Sequence, residues 1–212
     1  RNKTKKSEHA ILYRTNSQSK AIEDGLRKRG INYKVFGGLS FYQRKEIKDI
    51  MAYLKLILNH RDEAALLRII NYPARGIGAT TIEKIRQKAN EEQTSIWDIL
   101  NSNKIDSLSI NTSTKNKLIN FKEILIELHT KIHEDIFKTT QFLIERTGII
   151  RKLKENLNTE NINRIENISE LFNSIKIFSV NQTNNSLNDF INEVALDENI
   201  DEENEKNTEY VS

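Results

Sequence analysis

Apolar residues recur at the spacing of an α-helix through most of this 212-residue sequence. Beyond Gln43, one face of a predicted helix carries Ile47, Ile50, Met51, Leu54, Ile57 and Leu58. A second stripe of the same kind consists of Leu118, Phe121, Leu125, Leu128 and Ile132. The chain has one proline and seven glycines, too few for a turn-rich β-sandwich or barrel. The pattern therefore predicts a mostly α-helical fold.

Further helices are predicted at residues 19–28, 62–71, 80–92, 138–147, 160–179 and 186–196, with a short one around Trp97. In that short helix Trp97 is expected to be a core residue rather than a base-stacking platform. Residues 101–114 are polar and rich in turn formers, which is the composition of a linker.

The first 36 residues predict a small β-α-β piece. Residues 10–13 (AILY) fit a buried strand, and residues 33–36 (YKVF) predict a second one, after a helix capped by Gly30. The fragment resembles part of a parallel α/β sheet but has too few strands to be a sheet of its own.

The net charge of +3 conceals an asymmetry between the two halves. Residues 1–92 contain 20 Lys and Arg against 10 Asp and Glu, which favours a phosphate-rich partner, whereas residues 197–212 predict a mobile acidic tail. The absence of cysteine excludes disulfide and thiolate chemistry. No long apolar run occurs, so we expect no membrane partner and a cytoplasmic location at the bacterial nucleoid.

Several catalytic patterns are missing from the sequence. It has neither a G-x-x-x-x-G-K-[ST] phosphate loop nor an acidic strand end suited to Mg²⁺. His129 and His133 have the i, i+4 spacing of a metal pair, but no third ligand is evident. We therefore predict no metal site and interpret both as solvated histidines on a polar face.

Arg14 follows the first predicted strand directly, at the position where α/β sheets bind ligands. Its guanidinium suits bidentate phosphate recognition, and the adjacent Tyr13 could stack on a base. The alternative is that Arg14 is an ordinary surface residue and that Ser17 or Ser19 caps the following helix.

The second candidate site is a glycine-containing segment with Arg75, Gly76, Ile77, Gly78 and Thr80. Two glycines let the backbone approach a ligand, and the helix that follows offers unpaired N–H groups and a positive dipole end. Ile77 is expected to anchor the turn, and Arg75 to add a charge contact. The alternative is structural, because Thr80 and Glu83 have the spacing of a capping box.

Residues 44–49 (RKEIKD) are charged at the start of a helix. We interpret them as a solvated face in which Lys45 and Asp49 form an i, i+4 pair.

Three segments together resemble UvrD/PcrA/Rep-type superfamily 1 DNA helicases. Residues 11–19 (ILYRTNSQS) resemble helicase motif IV, and residues 37–54 (GGLSFYQRKEIKDIMAYL) and 67–81 (LRIINYPARGIGATT) follow in the family's order and spacing. Residues 164–171 and 190–196 are looser landmarks of the helical 2B insertion. The resemblance implies that Tyr13 packs on adenine, that Arg14 reaches the ATP γ-phosphate, and that the Gly-Ile-Gly turn contacts DNA phosphates.

The resemblance also implies an incomplete helicase. Residues 1–105 would be a partial second RecA-like domain (2A) with adjoining helices, residues 106–196 the 2B insertion, and residues 197–212 a mobile tail. ATP and Mg²⁺ would bind the full-length 3′→5′ enzyme of DNA repair or replication, and the isolated fragment, lacking the phosphate loop, would bind neither and be inactive. Its partners would be duplex DNA or a single/double-strand junction and the missing motor domains. The alternative is a non-enzymatic helical module that binds DNA or protein.

Overall fold

A computed structural model describes residues 5–14, 16–36, 39–181, 186–195 and 211. Its α-helices are α1 (Asn16–Arg27), α2 (Lys45–Leu58), α3 (Glu63–Ile69), α4 (Ala79–Glu91), α5 (Ile96–Leu100), α6 (Thr112–His129), α7 (Ile136–Thr147), α8 (Ile149–Lys154), α9 (Thr159–Asn181) and α10 (187–195). Short 3-10 helices lie at Lys6–Glu8, Phe41–Gln43 and Asn103–Ser107. The prediction of a mostly α-helical fold is confirmed.

Helix α2 lies at the centre of the hydrophobic core. Five of the six residues of the predicted apolar face are buried and Leu58 is partly buried, while Tyr53 and Leu56 outside that face are also fully buried. The helix packs against α3, α6 and α9, so it touches both the early and the late part of the chain. Among the described helices, none has the length and hydropathy needed to cross a membrane.

The predicted linker is packed onto the core. Residues 101–114 include the 3-10 helix Asn103–Ser107, and Ile105 and Leu108 are buried in the same cluster as α2 and α6. Lys84 Nζ donates to the Ser109 carbonyl at 2.5 Å and ties α4 to this segment. The segment is thus not a free tether, and a domain boundary at residues 105–106 stays a prediction.

The two predicted strands of the β-α-β piece are wrong for the described residues. Residues 10–13 form no bridge with any other described residue, and Leu12 is 95% exposed instead of buried. In the second segment only Tyr33 makes a single parallel bridge, to Val211. A strand requires a neighbour that accepts and donates its hydrogen bonds, and the described residues hold none beside residues 10–13. Apart from Val211, the predicted acidic tail lies outside the described residues.

Arg44 is buried between three helices instead of lying on a solvated face. Its Nη2 donates to Ser19 Oγ of α1 at 2.6 Å, and its Nη1 donates to Asn167 Oδ1 of α9 at 2.8 Å. Asn167 Nδ2 in turn donates to Glu46 Oε1 of α2 at 2.5 Å. Burial lowers the pKa of Arg44, an effect that nearby Glu23 and Glu46 oppose. This network joins α1, α2 and α9 across more than a hundred residues of sequence.

The predicted Lys45–Asp49 pair is also wrong. Asp49 is buried and pairs with Arg68 of α3, whose Nε lies 2.7 Å from Asp49 Oδ1. Burial raises the pKa of Asp49, and the ion pair with Arg68 opposes that shift. Other helices cover the side of α2 that carries Asp49. The i, i+4 spacing therefore predicted the wrong partner for this residue.

Candidate nucleic-acid interface

Asn71 shapes the turn between α3 and α4. Its Oδ1 accepts hydrogen bonds from the backbone N–H of Arg75 at 2.9 Å and of Ile77 at 3.1 Å. Ile77 is 1% exposed, which confirms that it anchors the turn in the core. Gly76 has a φ of +72°, a left-handed conformation that favours glycine. The turn is therefore held from inside by Asn71, a contact that the sequence pattern alone did not indicate.

Beyond this turn, the N-terminus of α4 faces outward without a side-chain cap. Gly78 is the N-cap residue, and no side chain accepts a hydrogen bond from the first turn. Within the described chain, the backbone N–H groups of Gly78, Ala79 and Thr80 have no hydrogen-bond acceptor. Thr80 is exposed and lies inside the helix, so the predicted capping role is wrong. Three donors and the positive end of a helix dipole thus meet at one exposed point.

Gly78 leaves open space in front of these donors. A Cβ atom built on Gly78 would meet no heavy atom within 4 Å, and its backbone is extended at φ −83° and ψ 167°. The turn therefore does not need glycine here for its conformation. What glycine provides is unobstructed access to the N-terminus of α4.

The Arg75 guanidinium stabilises the turn from beneath. Its Nη1 donates to the carbonyls of Ile69 at 3.0 Å and Tyr72 at 2.6 Å. Its Nη2 donates to the Tyr53 hydroxyl at 2.6 Å, and the same hydroxyl donates to the Tyr72 carbonyl. The guanidinium also lies 5.1 Å from the centre of the Phe121 ring. Both terminal nitrogens of Arg75 are thus used by the chain's own oxygens.

A cleft of about 540 Å³ opens beside the turn. It lies between α6, the end of α7 and the start of α8, and Arg75 contributes to its wall. Lys117 of α6 lines it and donates from Nζ to the Gly76 carbonyl at 3.3 Å. The turn and the cleft therefore form one continuous surface.

Tyr13 and Arg14 line a different groove, of about 320 Å³, together with Glu23 and Tyr33. The Arg14 backbone N–H donates to Gln18 Oε1 at 2.9 Å, which fixes the chain where α1 begins. Tyr13 is 36% exposed, and Arg14 is exposed as well. The two predicted sites share no lining residue, so the structure keeps them apart.

Two of the four histidines, His60 and His129, make contacts within the fold. His60 stacks on Trp97 with ring centres 4.2 Å apart, and Trp97 is a core residue, as predicted. His129 and His133 are both exposed, as predicted, although His129 also makes a contact within the fold, its Nδ1 lying 2.7 Å from the Ile57 carbonyl. Burial lowers the pKa of His60. The described residues contain no group of three or more His, Cys, Asp or Glu that could hold a metal ion.

The sequence profile of the UvrD-like helicase C-terminal domain matches residues 1–212. The chain belongs to this family, which confirms the resemblance seen in its motifs. It is 36% identical over 208 residues to the ATP-dependent DNA helicase PcrA of Bacillus subtilis, covering 98% of this chain and 28% of that protein.

Two further relatives agree with this assignment. DNA helicase II of Haemophilus influenzae is 37% identical over 171 residues, 80% of this chain and 23% of that protein. The PcrA helicase of Staphylococcus aureus is 33% identical over 214 residues, 98% of this chain and 28% of that protein. The chain thus spans about a quarter of the length of the curated relatives that it matches.

Proposed function

We propose that this chain is part of an ATP-dependent 3′→5′ DNA helicase that acts at the bacterial nucleoid in repair or replication. Within it, the turn formed by residues 75–80 binds the phosphates of duplex DNA. The observation that carries this proposal is the set of exposed, unpaired backbone N–H groups at Gly78, Ala79 and Thr80. Two similar proteins are DNA helicases by name, which supports DNA as the ligand.

The chemistry of the turn favours phosphate over bases. Main-chain N–H groups at a helix N-terminus donate well to phosphate oxygens but read no base edge, so such contacts position a protein without recognising sequence. Arg75 adds its positive charge beneath the turn while its terminal nitrogens hold the turn in place. A motor that moves along any sequence requires this kind of contact.

Ala79→Pro is the sharpest test of the turn. Ala79 is the first residue of α4, a position that tolerates proline, and the extended backbone of Gly78 suits a residue before proline. The change removes one unpaired N–H and leaves the helix intact. We expect the 212-residue chain to bind a blunt duplex about tenfold or more weakly, because a charge-assisted hydrogen bond contributes about 1.5–3 kcal/mol.

Thr112→Pro is the matched control, because Thr112 is the first residue of α6 and follows an extended Asn111. It should leave duplex affinity unchanged, and both variants should unfold at the temperature of the parent chain. Equal duplex affinity of the Ala79→Pro variant and the parent would contradict the turn as a DNA contact. Salt-independent capture of a protein, with no duplex affinity in the parent, would support the alternative of a non-enzymatic protein-binding module.

Tyr13 and Arg14 form part of an ATP site in this proposal. An exposed arginine whose backbone is fixed by Gln18 fits the phosphate chain of a nucleotide, and a half-exposed tyrosine beside it fits a base. When bound, ATP with Mg²⁺ supplies the phosphoryl group to be transferred. Arg14 then donates to the phosphate oxygens as negative charge develops on them. Other parts of the full-length protein would hold the remaining phosphate and metal contacts.

A chimera tests this role of Arg14. In it, this chain replaces the matching region of the Bacillus subtilis PcrA helicase, of which it covers 28%. We expect Arg14→Ala to lower DNA-stimulated ATP hydrolysis by the chimera about 10³-fold, the scale of an arginine that stabilises phosphoryl transfer. Arg29→Ala, at an exposed arginine of the same front region, should keep the parent rate. An Arg14→Ala chimera with parental hydrolysis would contradict the proposal.

A further inference from the structure

We propose that the cleft beside the turn is a second phosphate-binding site for duplex DNA, with Lys117 and Arg151 as its cationic residues. This inference rests on the proposed function, because it extends the DNA-contacting surface from the N-terminus of α4 onto α6 and α8. The cleft measures about 540 Å³, and both cations line it.

Each of these two cations lies next to a glycine with a left-handed backbone. Gly76 has a φ of +72° and Gly148 has a φ of +71°. A Cβ atom at Gly76 would lie 2.8 Å from Lys117 Nζ, and one at Gly148 would lie 3.0 Å from Arg151 Nη2. Each charged group therefore lies against a backbone position that has no side chain. The same arrangement is therefore found at both cations.

The charges of the cleft are unbalanced. Its wall includes four cationic residues, Arg75, Lys117, Arg146 and Arg151, and one acid, Glu123. Arg146 is neutralised from outside the cleft, because its Nη2 donates to Glu127 Oε1 at 2.8 Å and its Nε to the other oxygen at 2.5 Å. Arg75 is occupied within the turn, as described above.

Lys117 and Arg151 are the cations that remain for a ligand. Lys117 has a single acceptor among the described residues, the Gly76 carbonyl at 3.3 Å. Within the same part of the chain, the Arg151 guanidinium forms no ion pair or hydrogen bond. A guanidinium and an ammonium facing one open cleft are the donors that commonly bind phosphate oxygens.

The lining favours backbone phosphate of a duplex over a free nucleotide or single-stranded DNA. Its side chains include no aromatic ring, so a base would find no face on which to stack. The cleft also adjoins the turn directly, since Lys117 bonds to Gly76 two residues before the N-cap Gly78. A strand held at the N-terminus of α4 therefore has its neighbouring phosphates next to these cations.

Salt dependence tests the cleft separately from the turn. Each phosphate neutralised by a cation contributes about −0.9 to the slope of log K against log salt concentration. We expect Lys117→Gln and Arg151→Gln, in the 212-residue chain with a blunt duplex, each to reduce the steepness of that slope by about 0.9. Ala79→Pro should lower the affinity while leaving the slope near the parental value, because it removes an uncharged donor.

Matched controls remove the same charge from the same helices outside the cleft. Lys122 lies on α6 and Lys154 on α8, and neither lines the cleft. Lys122→Gln and Lys154→Gln should keep the parental slope, and all four variants should keep the parental unfolding temperature. Slopes that are equal for cleft variants and controls would overturn the second site, even if Ala79→Pro still weakened binding. A parent chain without duplex affinity would instead overturn the proposed function itself.

Discussion

Single side chains in this molecule can satisfy several polar groups of the chain at once. Arg75 is the clearest case, because one side chain donates to the carbonyls of Ile69 and Tyr72 and to the Tyr53 hydroxyl. The sequence placed Arg75 beside a glycine turn and suggested a DNA contact. The contacts of its terminal nitrogens are internal, so its removal would disturb the turn before any ligand is considered.

Replacing Arg75 with lysine should therefore lower stability. The planar fork of arginine reaches several acceptors that one ammonium cannot, and hydrogen bonds from charged groups contribute about 1.5–3 kcal/mol each. We expect Arg75→Lys to lower the free energy of unfolding in urea by about 2 kcal/mol. Arg86→Lys, on the exposed face of α4, should change it by less than about 0.5 kcal/mol. An unchanged urea midpoint in the Arg75→Lys variant would show that the fork is dispensable.

Asp98 gives the fold a measurable dependence on pH. Hydrogen bonds from Ser95, Arg61 and Thr94 lower its pKa from 3.8 to about 2. Because the pKa is lower in the folded state, the charged carboxylate stabilises the fold above about pH 4. That contribution is lost as pH falls towards 2.

The corresponding variant is Asp98→Asn. Since the side chain is 32% exposed, we expect this change to lower the free energy of unfolding at pH 7 by only about 1 kcal/mol. The difference between variant and parent should shrink to near zero at pH 2 in urea titrations. A difference that stays constant from pH 7 to pH 2 would rule out ionisation as its cause.

Between the helices, a buried polar network adds to the apolar packing. Arg44, Glu46 and Asn167 connect α2 to α9, and Ser19 extends the network to α1. Such a network holds the helix that follows Arg14 in a fixed place relative to the late helices. A buried ion that loses its partner destabilises a fold strongly, since the charge keeps its desolvation cost.

Asn167→Ala should reveal that cost. The change leaves Arg44 Nη1 and Glu46 Oε1 without their common partner, and we expect the free energy of unfolding to fall by about 2–3 kcal/mol. Asn163→Ala removes the same side chain one turn earlier on α9, where it is exposed, and should cost less than about 0.5 kcal/mol. Equal urea midpoints for the two variants would mean that the network carries no stability.

These helices also show what the sequence could and could not predict. The apolar stripe of α2 predicted its burial, because a period of 3.6 is a local property of the chain. The same pattern predicted the wrong environment for Arg44 and Asp49. Their partners, Asn167 and Arg68, are too far away along the chain for helical periodicity to indicate the contacts. The predicted strand at residues 10–13 was wrong because a strand depends on a neighbour outside its own sequence.

Over the whole molecule, two surfaces are arranged around one core. The groove with Tyr13 and Arg14 lies at the front of the chain, and the turn with its cleft lies at α4, α6 and α8. The glycine turn could be predicted from its motif, whereas Lys117 and Arg151 could not, because they reach the cleft from distant helices.

We propose above that the backbone N–H groups of Gly78, Ala79 and Thr80 hold a DNA phosphate. The most direct measurement is the chemical shift of these amides in ¹H–¹⁵N spectra of the 212-residue chain, recorded while a short blunt duplex is added. We predict that the proton resonances of Gly78, Ala79 and Thr80 move downfield and saturate together with binding, since each N–H gains a charged acceptor. Saturation of duplex binding with these three resonances unmoved would show that the phosphate is held elsewhere.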